Sequence, residues 1–320
     1  MRRLLITFLL LTFAATGLGN TVPAAPVGPH VQPLDSTTVR LAEERIEIHL
    51  RRDTRYDAYF STNAVAEYRI WFRFEPEADE QMTVGFPLSI YDPKHGIYGD
   101  QAANLRVEID GREVDVQIRR SDPKQDPDAY FASWALFPVT FQAGRPLEMV
   151  VSYTMHVLPY GKAYGAPLWV AYVLRTGAHW AGTIGRSEAV LTMDRPIREE
   201  DVRAEVEDFR STTPGWVLED GALRWVWEDF EPDFDLHLVL DNPYWRDTAE
   251  EIQAMLDAGV HEADPLIAVM TATRSLAEAG NIGMMSPLRD GSPPGEAAER
   301  LTPAVLAAAE SFLAEHPEED

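Results

Sequence analysis

Every second residue from Ala64 to Phe74 is apolar, and this run constrains the fold more than any other feature of the chain. One set of alternate positions is entirely apolar: Ala64, Ala66, Tyr68, Ile70, Phe72 and Phe74. The positions between them are mostly charged: Val65, Glu67, Arg69, Trp71, Arg73 and Glu75. Side chains of a β-strand point alternately to the two faces of the sheet, so this pattern gives one buried and one hydrated face. The run therefore predicts a half-buried strand of the kind found in antiparallel sheets.

The same alternation recurs along the chain and predicts a mainly β protein. It is clear in residues 45–51, and further strand-like runs cover 81–88, 131–142, 146–157, 166–174 and 186–193. Asp110-Gly111 and Asp220-Gly221 each separate two such runs, and Asp-Gly is typical of a two-residue hairpin turn because both positions need positive φ. These turns predict hairpins that pair 105–109 with 114–118 and 216–218 with 223–227. The many short strands favour one or two antiparallel β-sandwiches over residues 37–245.

A short helical C-terminal tail is predicted over residues 246–320, where the apolar period lengthens to that of a helix. Asp247-Thr248-Ala249-Glu250 has the order of a capping box, and Asp264-Pro265 and Thr302-Pro303 begin a second and a third helix. Residues 281–295 are rich in Gly, Pro and Met and predict a loop. Each helix is amphipathic, so we expect it to pack on the sheet body, on the other helices or on a partner.

The N-terminus has the order of a secretory signal peptide. Arg2 and Arg3 precede an apolar stretch from Leu4 to Ala15, which is too short to span a bilayer core, and small polar residues follow it. We predict a signal peptide over residues 1–19, a Pro-rich linker over 20–36, and a protein that is exported to the periplasm or the extracellular space. A retained membrane anchor is the alternative. No later segment reaches transmembrane length.

The charge balance excludes one large class of partners. The chain has 52 acidic and 28 basic residues, a formal net charge of −24, and no cysteine. Binding a phosphate backbone requires clustered Lys and Arg, so we expect no nucleic-acid partner. Without cysteine the fold has no disulfide and must depend on its own hydrophobic core.

No catalytic motif stands out. Ser187 lacks the second glycine of a nucleophile elbow, and His261-Glu262 lacks the second histidine of a zinc protease helix because position 265 is Pro. The eight histidines are scattered, and no Gly-rich phosphate loop occurs. We assign no catalytic residue and expect no cofactor. A carbohydrate-active hydrolase that uses a carboxylate pair is the alternative to a non-catalytic protein.

Two acidic stretches are candidate calcium sites, since calcium takes several oxygen ligands in adaptable geometry. Their carboxylates are Asp122, Asp126 and Asp128 in one stretch and Asp229, Asp233 and Asp235 in the other. Neither stretch has the ordered spacing or the Gly of an EF-hand, so both also fit solvated turns.

Aromatic residues gather between positions 160 and 182. Tyr160 and Tyr164 alternate with glycines, Trp169 follows, and His179 and Trp180 lie in a second Gly-rich stretch. Aromatic rings on exposed loops can stack on a ligand such as a sugar, and these five residues are our candidate ligand-binding set. The other interpretation is that Trp169 and Trp180 fill the core.

Three stretches give the chain a family resemblance over residues 38–241. They are the Thr-Gly-x-x-Trp-x-Gly-x-Ile motif at 176–184, the Phe86-Pro87 strand end, and the aromatic and acidic run Trp227–Leu236. In these the chain resembles a family of secreted bacterial proteins that is known only as a domain of unknown function. The resemblance implies export and a β-rich fold, and it implies no activity. We therefore expect an exported, non-catalytic protein that binds a ligand or a partner protein at the cell envelope.

Overall fold

The computed structural model describes residues 22–27, 30–33, 37–53, 64–92, 96–98, 102–120, 131–157, 168–203, 212–241, 243–281 and 293–316. The strands are β1 (Val22–Val27), β2 (His30–Pro33), β3 (Val39–Arg52), β4 (Ala64–Pro76), β5 (Glu80–Asp92), β6 (Gly96–Tyr98), β7 (Ala103–Ile109), β8 (Arg112–Glu113), β9 (Gln117–Arg120), β10 (Phe131–Phe141), β11 (Leu147–Val157), β12 (Leu168–Tyr172), β13 (Ile184–Met193), β14 (Val217–Glu219), β15 (Ala222–Phe230) and β16 (Leu236–Leu240). The helices are α1 (Tyr244–Ala258), α2 (Ala263–Asn281) and α3 (Pro293–Glu315).

An eight-stranded sheet, here called the large sheet, forms one layer in the order β14-β15-β13-β3-β4-β11-β7-β8. Its neighbouring strands are antiparallel except for β13 and β3, which run parallel with Arg186 opposite Glu43 and Met193 opposite Leu50. The predicted mainly β, antiparallel fold is confirmed, and the parallel pair is a departure from it. The alternation of a single strand reports which face is buried and carries no information on the direction of its neighbour.

A second sheet packs on the inner face of the large sheet and completes one sandwich. Its order is β2-β1-β5-β10-β9, with β6 also paired to β5. Aromatic rings meet between the layers: the centroids of Phe74 and Phe141 lie 5.6 Å apart, and those of Phe86 and Tyr153 lie 5.4 Å apart. Most of the buried apolar residues of both sheets belong to one hydrophobic cluster.

A two-stranded ribbon of β12 and β16 packs on the same inner face beside the second sheet. The hydroxyl of Tyr68, on β4, donates to the carbonyl of Ala171 at 3.2 Å. Inward-facing positions of the large sheet are therefore buried by two different partners. All six apolar positions that alternate along β4 are at most 4% exposed, as the period of two predicts.

Both predicted hairpin turns form, with positive φ at each Asp and Gly: 47° and 73° at Asp110-Gly111, and 50° and 73° at Asp220-Gly221. The second turn joins β14 to β15 as expected. The first joins β7 to only the two residues of β8, after which the chain crosses to the second sheet and pairs β9 with β10. Of the predicted strand 114–118, only Gln117 and Ile118 are in a strand, and that strand belongs to the second sheet.

Part of the predicted linker 20–36 pairs with the second sheet. Strands β1 and β2 form an antiparallel pair, and Val22–Ala24 of β1 lies opposite Thr83–Gly85 of β5. Strand β1 lies between β2 and β5, and its prolines, Pro23 and Pro26, have no backbone N–H to donate to either neighbour. The predicted signal peptide, residues 1–19, lies outside the described residues.

The three predicted helices form, and their apolar faces pack on one another. Ile252 of α1, Val269 and Leu276 of α2, and Leu301 and Val305 of α3 belong to a hydrophobic cluster separate from the core of the sandwich. The helical tail is therefore a small bundle with its own core. Polar contacts fix it to the sheets: Arg52 Nη2 lies 2.8 Å from Glu251 Oε2, and the hydroxyl of Tyr244 lies 3.1 Å from Asp194 Oδ1.

Helix α3 begins at Pro293, nine residues before the predicted start at Thr302, and continues through Pro303. Proline at the start of a helix loses no hydrogen bond, which suits Pro293 and Pro294. Thr302 donates its hydroxyl to the carbonyl of Ala298 at 2.7 Å, so it lies inside the helix and does not cap it. The prediction that Thr302-Pro303 begins the helix was wrong because the buried apolar stripe of the helix extends upstream to Ala297 and Ala298, both 1% exposed. Within the described part of the chain, no helix is both long and apolar enough to cross a bilayer.

Candidate functional site

The outer face of the large sheet carries a cleft of about 620 Å³. Its lining comes mostly from outward-facing positions of β3, β4, β7, β11 and β13, and the inner-face residues Ile48, Tyr68 and Tyr153 also contribute. The inner face of the same strands is buried in the sandwich, so the position of the outer side chains is fixed by the packing beneath them. Clefts of about 300–1,000 Å³ accommodate small molecules, and this one falls in that range.

The strand register arranges the lining in rows that cross the sheet, because paired residues on neighbouring strands lie about 4.8 Å apart. One row contains Thr192, His49, Glu67 and Thr154. The next, two residues along each strand, contains Val190, Glu47, Arg69, Ser152 and Arg106. Residues from distant parts of the sequence are thereby placed side by side.

Most of the first row is held by hydrogen bonds and ion pairs. His49 Nδ1 lies 2.9 Å from Thr192 Oγ1, and Arg51 Nε lies 2.7 Å from Glu67 Oε1. In the second row, Glu47 contacts two arginines: Arg45 Nε at 2.9 Å and Arg69 Nη1 at 3.7 Å. The cleft therefore presents fixed acceptors, donors and charges of both signs, which is suited to binding a small polar molecule.

Glu44 lies on the opposite, inner face of β3 and forms a buried polar network. The hydroxyls of Tyr172 and Ser187 lie 3.0 Å and 2.9 Å from its two carboxyl oxygens. Burial raises the pKa of Glu44 to about 7 against the opposing effect of the two hydrogen bonds. Ser187 and Tyr172 have no exposed surface, so a substrate could not reach this network and we assign it a structural role.

The predicted aromatic ligand set does not come together in the described residues. Trp180 is 3% exposed and packs in the core with its ring centroid 4.5 Å from that of Phe74. Trp169 is 37% exposed on the ribbon and stacks on His237 at 5.9 Å. His179 is exposed at the end of a short 3-10 helix, and Tyr160 and Tyr164 lie outside the described residues. None of Trp169, His179 and Trp180 lines the cleft.

The second acidic stretch is not gathered into a metal site. Asp235 is buried and accepts a hydrogen bond from the backbone N–H of Arg175 at 3.3 Å, whereas Asp229 and Asp233 are exposed. The described residues contain no group of three or more His, Asp or Glu side chains placed to hold a metal ion. Asp122, Asp126 and Asp128 lie outside the described residues.

The alternation along β4 predicts its polar face but not the cleft. Glu67 and Arg69 point away from the core, as the alternation predicts. Their neighbours Thr192 and Arg106 come from strands whose pairing no local pattern encodes. The signal that could have found Glu44 was present, because Glu44 has the same parity as the buried Ile46 and Ile48.

No family model and no curated protein matches this chain. Among solved structures it is similar to that of a "putative nutrient binding protein" from Legionella pneumophila, with 17% identity, a TM-score of 0.54, and coverage of 91% of this chain and 99% of that one. This likeness shows a shared fold. A structure of an M1 zinc metallopeptidase from Deinococcus radiodurans gives a TM-score of only 0.30 at 6% identity, over 64% of this chain and 42% of that one.

Proposed function

We propose that this chain is an exported, non-catalytic binding protein of the cell envelope and that its ligand occupies the cleft on the large sheet. The observation that carries the proposal is the cleft itself: about 620 Å³, lined by hydrogen-bonding and charged groups on a rigid sheet. The fold shared with the Legionella pneumophila protein, whose name includes nutrient binding, supports a ligand-binding role.

A screen by thermal shift tests the binding role. A ligand that binds only the folded state raises the melting temperature by mass action. The probes are neutral sugars, sugar acids, amino acids, peptidoglycan fragments and calcium, added to the full chain. We expect one or more of these probes to raise the melting temperature.

A steric pair of variants locates the site. Thr154→Trp places a large ring in the cleft, and Thr140→Trp makes the same change at an exposed strand position outside it. The shift should disappear in Thr154→Trp and persist in Thr140→Trp. A shift that persists in both variants would place the ligand elsewhere, and no shift with any probe would contradict the binding role.

The same samples test the hydrolase alternative. Glu47 and Glu67 both line the cleft, and a hydrolase of this kind would use a pair of carboxylates. We expect every sugar probe to be recovered intact after incubation. Release of a smaller sugar, lost in Glu47→Gln or Glu67→Gln, would establish the hydrolase instead.

Export is tested by recovering the protein from cells that express the full chain. We expect it outside the cytoplasm, with an N-terminus at Asn20 by N-terminal sequencing. An intact Met1 in the membrane fraction would support the retained anchor.

A further inference from the structure

We propose that the cleft ligand is a small organic acid with a single carboxylate and a hydrogen-bond donor at its other end, and that Arg69 and Arg106 bind the carboxylate. The proposal rests on the proposed binding function and specifies its ligand.

The two guanidinium groups come from strands on either side of β11. Ser152 of β11 lies opposite Arg69 of β4 and opposite Arg106 of β7. All three side chains line the cleft. A row of two guanidinium groups with a hydroxyl between them is suited to an anion, and planar guanidinium is complementary to carboxylate.

Neither arginine has a carboxylate to itself, because Arg106 has no ion-pair partner among the described residues and Arg69 shares Glu47 with Arg45. Arg106 is exposed, and Arg69 is 59% exposed with only a 3.7 Å contact to Glu47. The two carboxylates that line the cleft have arginine partners: Glu47 has Arg45 at 2.9 Å, and Glu67 has Arg51 at 2.7 Å. In a chain with 52 acidic and 28 basic residues, an arginine without an ion-pair partner, such as Arg106, is not expected from composition alone.

The neighbouring row limits the ligand to one negative charge and supplies its second contact. Glu67 lies two residues from Arg69 along β4, a distance of about 7 Å. Its carboxylate, together with Glu47, would repel a second negative charge and attract a hydroxyl or ammonium group. Amino acids and sugar acids share this chemistry. A polyphosphate or nucleic acid does not fit, since its repeated charges would face Glu47, Glu67 and the strongly negative protein as a whole.

Calorimetric titration with matched pairs of probes tests the proposal. Glucuronate is compared with glucose, and alanine with alaninamide, so that within each pair the carboxylate is replaced by an uncharged group. We expect the full chain to bind glucuronate or alanine at least tenfold more tightly than the matched probe without a carboxylate, and which of the two binds distinguishes a sugar acid from an amino acid. Loss of one charge-assisted contact in Arg69→Gln or Arg106→Gln should weaken that binding by roughly ten- to a hundredfold.

Arg112→Gln is the matched control, because Arg112 is exposed on β8 and does not line the cleft. It removes the same charge and should leave the affinity within twofold. Equal weakening by all three variants would show a general effect of charge and overturn the assignment. Equal affinity for the probes with and without a carboxylate, with no effect of Arg106→Gln, would also overturn the assignment while leaving the binding function in place. If neither glucuronate nor alanine binds at millimolar concentration, the proposed ligand class is wrong. If a neutral sugar still raises the melting temperature in that case, the proposed binding function stands.

Discussion

The carboxyl Oε2 of Glu44 lies 2.9 Å from the hydroxyl of Ser187, and both side chains are buried between the large sheet and the ribbon. The contact joins the parallel strands β3 and β13 on their inner face. Since a carboxyl group that is buried loses its hydration, the protonated form is favoured, and the pKa of Glu44 rises from 4.5 to about 7.

The raised pKa predicts that Glu44 destabilises the fold as the pH rises. Below about pH 4.5 the carboxyl is protonated in both the folded and the unfolded chain, and its stabilising effect is complete. Between pH 4.5 and 7 the folded state binds more protons than the unfolded state, so the free energy of unfolding falls with pH by about 3 kcal/mol in total. Glu44→Gln should remove this dependence and be the more stable form at pH 8.

Urea unfolding of both proteins from pH 5 to 8 measures the effect. The difference between them is the relevant quantity, because His237 contributes in the opposite direction: its pKa is lowered by burial and by the nearby Arg175. Parallel pH profiles for the two proteins would contradict the assignment to Glu44.

The two tryptophans of the predicted ligand set should differ sharply in their contribution to stability. Trp180→Ala removes a ring buried against Phe74 and should lower the free energy of unfolding by about 3–5 kcal/mol. Trp169→Ala removes a partly exposed ring and should cost less than about 1 kcal/mol. Chemical denaturation of both variants checks this, and equal losses would show that Trp169 is also a core residue.

Gly185 should not tolerate a side chain. A Cβ at this position would lie 2.6 Å from the backbone carbonyl oxygen of Ala42, where β3 and β13 come together. Backbone atoms cannot move aside cheaply, so Gly185→Ala should lower the free energy of unfolding by about 2–3 kcal/mol. Gly144→Ala is the control, because Gly144 has a positive φ of 69° with open space around it and should cost only about 1 kcal/mol. A smaller loss at Gly185 than at Gly144 would show that the two strands can separate locally.

Breaking the contacts that hold the helical bundle on the sheets should weaken its docking without unfolding the bundle itself. Arg52 is mostly buried and pairs with Glu251, and Arg195 Nη1 lies 2.9 Å from Asp247 Oδ1. The double variant Arg52→Ala, Arg195→Ala should weaken docking by about 1–2 kcal/mol, a modest value because Glu251 is partly exposed. The bundle should stay folded, since Ile252 and Val269 are buried in its own core.

Hydrogen exchange distinguishes weaker docking of the bundle from unfolding of the bundle. Amides at the start of α1 should exchange faster in the double variant, whereas those of α2 and α3 should keep their protection. Arg224→Ala, which breaks an exposed ion pair with Glu188, is the control and should change neither. Loss of protection throughout α2 would show that the bundle depends on the sheets.

The extent to which the fold could be predicted follows from what local patterns encode. Alternation identified the buried face of β4 residue by residue, and the positive φ required at Asp110 and Asp220 identified both hairpin turns. The same parity, extended back from Ile46, places Glu44 in the core, although an acidic side chain argued against it. Direction and order of the strands depend on contacts between distant segments, so the parallel neighbour of β3 could not be predicted.

The candidate site was less predictable for the same reason. Arg69 was correctly placed on a hydrated face, but a hydrated face becomes a site only through the residues beside it. Ser152 and Arg106 reach Arg69 through two further strand pairings, and neither lies in a recognisable motif. The aromatic residues between 160 and 182 stand out by composition alone. Composition does not distinguish a ring that fills the core, such as that of Trp180, from an exposed ring on which a ligand can stack.

The parallel pairing of β3 with β13 also affects the order in which the sheets can fold. The ribosome synthesises the chain from its N-terminus, and His49 can contact Thr192 only after a further 143 residues have been made. Until then one edge of β3 carries unpaired N–H and C=O groups, which can pair with other chains. Closing so long a loop is slow, so the early half of the sandwich is the stage at which a chaperone would act.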